Sequence, residues 1–238
     1  MAGAEEVWAI VPAAGRGARF GGEVPKQYLS IAGQPLLAHA LDAVLSESRV
    51  AGVVVAIAED DRRWPGWTRR QGKPVLTCTG GGERADSVLS ALEALPAGVA
   101  DDALLLVHDA ARPNLHPGDL SRLVDAALAG PDGALLAAPV RDTLKRGDGD
   151  GRSIGTESRD ALWRALTPQA FRRDLLREAL LRARADGVVA TDEAMAVERL
   201  GRHPRLVEGR DDNLKVTTPA DLALADYLIV ARLGRPAP

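Results

Sequence analysis

The chain has 238 residues, 46% of them hydrophobic, enough for one full core with or without an appendage. Its formal net charge of -3 and pI near 5.9 imply no general affinity for nucleic acid or membrane surfaces. No apolar run approaches the roughly 20 residues of a membrane span, residues 1–6 lack the basic start and apolar core of a signal peptide, and the single Cys78 fits a reducing cytoplasm without disulfides or structural zinc.

Val7 to Val11 is apolar without alternation, the pattern of a strand covered on both faces. It passes through Pro12 into Ala13, Ala14, Gly15, Arg16, Gly17, Ala18 and Arg19. Small side chains leave backbone N–H groups free to face an anion, and Gly15 and Gly17 are able to take the positive φ of a concave loop. With Arg16, Arg19 and Lys26 adding charge, the stretch predicts a phosphate cradle; a tight turn is the plainer reading. Phe20 stands where a dinucleotide fingerprint needs its third glycine, and the Gly-Lys-Ser/Thr of a P-loop is absent.

Leu36, Leu37, Ala40, Leu41, Val44 and Leu45 recur at helical spacing over 35–48, with Pro35 in the first turn. Residues 53–58 predict a buried strand, and 59–73 a surface connection. A strand over 75–79 ends in Gly80, Gly81, Gly82, Glu83, Arg84, Ala85, Asp86 and Ser87, followed by a helix to Leu95. Another strand at 104–107 ends in His108, Asp109, Ala110, Ala111 and Arg112, and a helix over 116–129 and a strand over 134–138 follow. This alternation predicts an α/β fold with an open, mostly parallel sheet, whose ligands bind at the carboxyl ends of the strands. Three loops rich in glycine or charge lie at such ends and converge on one crevice.

Residues 139–163 break the rhythm. Two polar strands, 140–146 and 153–158, flank a Gly-Asp-rich turn that lacks the spacing of a calcium loop. They predict a projecting β-arm that swaps across a dimer, with a disordered excursion as the alternative. Helices are expected at 171–185 and 192–200, the latter capped by Thr191, and from 219 to about 233, capped by Thr218. A single domain over 1–238 is expected. Of 30 Lys and Arg only four are Lys, and Lys26, Lys145 and Lys215 fall in stretches selected on other grounds. His108 and His116 are read as structural.

The stretches PAAGRGARF, VPKQYLSIAGQPLL, GGERADSVLSAL, LLVHDAARP, APVRDTLKR, LWRALTPQAF, TDEA and VEGRDDNLKVTTPADLALA cover most of the chain. In that order they resemble the 2-C-methyl-D-erythritol 4-phosphate cytidylyltransferases of non-mevalonate isoprenoid biosynthesis. The resemblance implies a Rossmann-like nucleotidyltransferase that joins CTP to methylerythritol phosphate and releases pyrophosphate, with Mg²⁺ or another divalent cation. A phosphate monoester is already an anionic nucleophile, so positioning and charge neutralisation suffice.

By the same resemblance, Arg19 and Lys26 are catalytic and stabilise the pentacoordinate phosphorus and leaving pyrophosphate. Nucleotide contacts are implied at Pro12, Ala13, Ala14, Gly15, Gly17, Arg19, Lys26, Gly80, Gly81, Arg84, Ser87 and Ala110. The polyol phosphate would meet Asp109, Arg112, Thr167 and Lys215, with Thr143 and Arg159 supplied by a neighbour's arm in a homodimer. Asp109 and Asp212 are the implied metal ligands, with Asp211 the nearest competitor. Gly82 stands where the family commonly has an acidic residue. Rival readings are a ribitol-5-phosphate cytidylyltransferase, which shares the glycine loop and Lys-Gln pair, and a non-catalytic nucleotide sensor. No second domain follows before Pro238, so a monofunctional, cytoplasmic enzyme is expected.

Overall fold

The computed structural model describes residues 6–15 and 24–234, so the expectations for Gly17 and Arg19 lie outside the described residues. The first half comprises β1 (Val7–Pro12), β2 (Ser30–Ile31), β3 (Gln34–Pro35), α1 (Leu36–Leu45), β4 (Val50–Ile57), β5 (Arg69–Arg70), β6 (Lys73–Thr79) and α2 (Arg84–Glu93). Next come β7 (Leu104–Val107), α3 (Pro117–Leu128), β8 (Ala134–Pro139), β9 (Leu144–Gly147) and β10 (Ser153–Glu157). The chain closes with β11 (Trp163–Arg172), α4 (Arg173–Ala185), α5 (Glu193–Glu198), β12 (Arg205–Glu208) and α6 (Pro219–Gly234).

An eight-stranded sheet in the order β12-β8-β11-β7-β1-β4-β6-β5 organises these elements. β1, β4, β6, β7, β8 and β12 run one way; β5 and β11 run the other. The unbroken apolar run of β1 follows from its central place. Val7, Ala9 and Val11 pack with Leu37 and Leu41 of α1 and Leu120 and Leu123 of α3. Trp8 and Ile10 face Val88 and Leu92 of α2 and Leu176 of α4. Both faces of the sheet are thus covered, as a parallel sheet requires. A third cluster seats Ala225 and Ile229 of α6 on Ile31, Leu36, Ala111 and Val216.

The structure revises three expectations. The segment expected to begin a helix at Phe171 is the end of β11, a ten-residue strand lying antiparallel between β7 and β8; the helix starts at Arg173. A proline inside a run argues against a central strand. Here the ladder to β8 shifts register between Ala165 and Gln169, so Pro168 falls where no pairing is made. The cap of α5 is Asp192 rather than Thr191, its carboxylate accepting from the Met195 N–H at 2.9 Å. Gly15 does not take a positive φ, and a Cβ there would meet nothing within 4 Å.

Residues 59–73 are more ordered than their composition implies. Trp64 and Trp67 make an edge-on pair 5.4 Å apart against the core, and Arg70 lies 4.4 Å over the Trp67 ring. Among the described residues β9 and β10 pair only with each other, and they carry exposed side chains, Ile154 among them at 62%. The Thr218 cap of α6 is present: its hydroxyl accepts from the Asp221 N–H at 3.2 Å while Asp221 Oδ2 accepts from the Thr218 N–H at 2.8 Å. No described helix is long and apolar enough to cross a membrane.

Candidate active site

The carboxyl ends of β1, β4, β6 and β7 open onto a cleft of about 1050 Å³. This is where ligands enter such sheets.

One wall is the turn after β1, where Pro12, Ala13, Ala14 and Gly15 line the cleft beside Lys26. The Ala13 N–H donates to Ala56 O at 2.7 Å, keeping the backbone tied to β4 as the chain leaves the sheet. Lys26 opens a short 3-10 turn whose other two residues are both anchored. The buried Gln27 donates from Nε2 to Ala13 O at 2.7 Å, and the Tyr28 hydroxyl donates to Asp61 at 2.6 Å. Lys26 Nζ lies 3.4 Å from Val216 O.

The opposite wall is the turn from β6 into α2. The Gly80 N–H donates to Ile57 O at 2.8 Å, and Ser87 Oγ accepts from the Gly81 N–H at 3.1 Å. Glycine is required at both positions. A Cβ on Gly80 would lie 2.5 Å from the Ala14 Cβ, and one on Gly81 would collide with the Asp86 Cβ. Glu83 and Asp86 form a capping box that starts α2. Gly82 also lines the cleft, with open space where a side chain would stand.

Asp109, directly after β7, is the electrostatic centre. Its Oδ1 lies 3.1 Å from Arg84 Nε; its Oδ2 lies 3.0 Å from Lys215 Nζ and 3.4 Å from Arg112 Nε. Burial opposes its charge, yet Arg84, Lys215 and Arg112 outweigh that and hold the carboxyl well below the usual range. A second network fixes its backbone. Arg112 O, 2.9 Å from His108 Nε2, can only accept, so the neutral imidazole carries its hydrogen on Nε2 and donates it there. His108 Nδ1 therefore accepts from the Thr167 hydroxyl at 3.0 Å, while Thr167 Oγ1 accepts from the Asp109 N–H, also at 3.0 Å. Full burial drives this histidine down to about pKa 4, so it stays neutral. Asn213, also buried, donates from its side-chain amide to Thr167 O at 2.8 Å while its backbone carbonyl accepts from Arg112 Nη1 at 2.7 Å. These bonds tie the strand carrying Thr167 to the segment carrying Lys215.

The expected nucleotide residues Pro12, Ala13, Ala14, Gly15, Lys26, Gly80, Gly81, Arg84, Ser87 and Ala110 all line this cleft, as do Asp109 and Lys215. Arg112 and Thr167 are buried and bonded to Asp109 rather than lining it. Thr143 and Arg159 are exposed in the arm region, and the cleft wall of their own chain does not include them. Asp212 is likewise outside the lining and pairs with Arg210 at 2.8 Å, while Asp211 pairs with Arg141 and Arg164. His116 caps α3, its Nδ1 accepting from the Gly118 N–H at 3.1 Å.

Sequence reasoning missed Gln27, Asn213 and Glu193 as parts of this framework. Glu193 is fully buried and paired with Arg84. Gln27 follows Lys26 and Asn213 lies two positions before Lys215, both lysines that the sequence did single out, which is the one signal that would have found them. Among the described residues no group of three or more His, Cys, Asp or Glu could hold a metal ion. Asp109 alone fits a hard cation such as Mg²⁺, which takes one or two carboxylates and completes its shell with water and substrate phosphates.

The IspD family model, 2-C-methyl-D-erythritol 4-phosphate cytidylyltransferase, matches residues 7–231. The chain is 60% identical over 228 residues to the protein of that name from Stenotrophomonas maltophilia strain R551-3, covering 96% of this chain and 98% of the relative. It is 63% identical over 226 residues to the one from Xanthomonas campestris pv. campestris strain 8004, covering 95% and 85% respectively. The crystal structure of the Thermus thermophilus enzyme of the same name superposes with a TM-score of 0.76 at 36% identity, over 94% of this chain and 98% of that one. A crystal structure of a 4-diphosphocytidyl-2C-methyl-D-erythritol synthase gives 0.79 at 34% identity, over 94% and 99%. On its sheet, its cleft and these likenesses, the chain belongs to the 2-C-methyl-D-erythritol 4-phosphate cytidylyltransferase family.

Proposed function

We propose that the cleft transfers a cytidylyl group from CTP to 2-C-methyl-D-erythritol 4-phosphate and releases pyrophosphate, a step of isoprenoid precursor biosynthesis. The observation that carries this is one carboxylate, Asp109, shared by Arg84, Arg112 and Lys215 at the floor of a cleft walled by two glycine turns. Such a site collects phosphates and aligns them. Among its described residues there is no Ser-His-Asp arrangement, and an anionic nucleophile needs none.

The substrate phosphate oxygen attacks the α-phosphorus of CTP in line, and the bond to the bridging oxygen of pyrophosphate breaks. Lys26, together with Arg19, offsets charge on the pentacoordinate phosphorus and the leaving group. Gly80, Gly81 and Ser87 with Ala14 and Gly15 hold the cytidine through fixed donors and acceptors, which can separate cytosine from uracil. Lys215 and Arg112 address the polyol phosphate, and Thr167 acts on it through Asp109 and His108. Asp109 would hold a divalent cation such as Mg²⁺, which would supply charge neutralisation for the phosphates, and the Arg210 pair would have to open before Asp212 could contribute.

The arm at 139–163 is the dimerisation element, placing Thr143 and Arg159 in a neighbour's cleft within a chain that otherwise forms one domain. A cytoplasmic setting accords with a single thiol, Cys78. The test is pyrophosphate release with CTP and Mg²⁺, with methylerythritol phosphate and ribitol 5-phosphate offered in parallel. Strong preference for the first, falling at least about 100-fold in Lys26→Ala, is expected. Preference for ribitol 5-phosphate would overturn the substrate, and no release with either would favour a nucleotide sensor.

A further inference from the structure

The TDEA stretch holds a residue that the reaction described above does not use. Glu193 opens α5 and has no exposed surface. Its Oε1 accepts from Arg84 Nη1, and Arg84 Nε in turn reaches Asp109 Oδ1 at 3.1 Å. Arg84 is thus stretched between two carboxylates, with 25% of its side chain still exposed where it lines the cleft. The turn carrying Glu193 is fixed from several sides. Asp192 accepts from the Met195 N–H and from Gln169 Nε2, both at 2.9 Å. Gln169 Oε1 accepts from the Ala194 N–H at 2.8 Å.

Stability alone does not account for this pair. Arg84 Nη2 and Glu193 Oε2 are both buried without a hydrogen-bond partner among the described residues, a costly arrangement that an apolar pair of similar volume would avoid. The geometry points to another role. We propose that Glu193 is a positioning residue for cytidylyl transfer, holding Arg84 at the cleft wall and keeping it from closing fork-on over Asp109. Without Glu193, Arg84 has a single carboxylate left and turns bidentate toward it, the strongest arrangement a guanidinium can make. Asp109 is then drawn from Lys215 and Arg112, and the guanidinium leaves its place beside the β6–α2 turn.

The inference rests on the reading of the cleft as a CTP site. Its test compares wild type, Glu193→Gln, Glu193→Asp, Arg84→Met and the Glu193→Gln/Arg84→Met double variant. Pyrophosphate release gives kcat and KM, calorimetry gives CTP affinity, and melting reports the fold. Glu193→Gln should raise the KM and dissociation constant for CTP about tenfold or more with kcat little changed. Glu193→Asp should recover part of that loss, and the double variant should bind CTP no worse than Arg84→Met alone. A lower melting temperature with unchanged CTP affinity would make Glu193 merely structural, and additive losses in the double variant would equally overturn the proposal. If Glu193→Gln does not fold, Glu193→Asp decides: wild-type CTP affinity in that variant sinks the idea. Failure of wild type to release pyrophosphate would count against the reaction instead, because calorimetry still reads the coupling.

Discussion

At the scale of single residues, the site depends on groups that never touch substrate. His108 is held neutral by burial, with Arg112 O and Asp109 favouring its charge and Arg112 and Arg84 opposing it. Its folded pKa of about 4 lies below the ordinary 6.5, so between those values the unfolded chain binds the extra proton. Stability should therefore fall as pH drops from 6.5 to 4, by about 3 kcal/mol in total, as followed by urea unfolding. His108→Asn should flatten that slope; an unchanged slope would place the effect elsewhere. Asp109 acts in the same sense, in a more acid window. Its depressed pKa means that its stabilisation is present above pH 3.8 and is lost only in stronger acid. Asp109→Asn leaves Arg84, Arg112 and Lys215 facing one another, and should cost about 3–5 kcal/mol in unfolding free energy along with activity. The acidic residue after β7 was legible from sequence because it ends an apolar run. That Thr167 bonds to its N–H was not, because the two are separated by 58 positions.

At the scale of elements, the reliable signal was hydrophobic period. β1 and α1 read correctly from the spacing of their apolar residues, since each buries one or both faces against the sheet, and α3 and α4 were expected close to where they lie except that α4 starts two residues later. β11 did not, because a strand crossing the middle of a sheet at Pro168 has no consistent period, and its pairing skips the offending residues. Caps carry predictions of their own. Asp221 accepts from the N–H groups of Thr217 and Thr218 and from the Thr217 hydroxyl, bonds that pull its pKa to about 2. Asp221→Ala should destabilise by about 1 kcal/mol at neutral pH. That difference should shrink as pH falls from 3.8 through about 2, where the wild-type carboxylate is neutralised. Since Thr217 lines the cleft, a rise in KM should accompany it. Gly81→Ala should weaken CTP binding more than it lowers the melting temperature, because the new Cβ displaces the first turn of α2.

At the scale of the whole molecule, the proposed dimer makes a sharp prediction. Lys26→Ala disables the core of its own site, and Arg159→Ala disables only what its arm lends to a neighbour. Mixed subunits then contain one intact site in each heterodimer, so an equal mixture should regain about a quarter of wild-type activity. Two inactive variants that stay inactive after mixing and refolding would place Arg159 outside a shared site. The arm itself was readable as a turn between polar strands, whereas what it covers is not determined by one chain's residues.

The sequence by itself determined the α/β class, the glycine turns, the acidic strand end and the family, because these depend on local period, backbone freedom and short motifs. Tertiary structure alone decided that Thr167 and Arg112 stand behind Asp109, that β11 lies between two parallel strands, and that Glu193 reaches Arg84. Each of those depends on contacts between residues far apart in the chain. Burial and charge at such contacts arise only when the sheet brings its strand ends together.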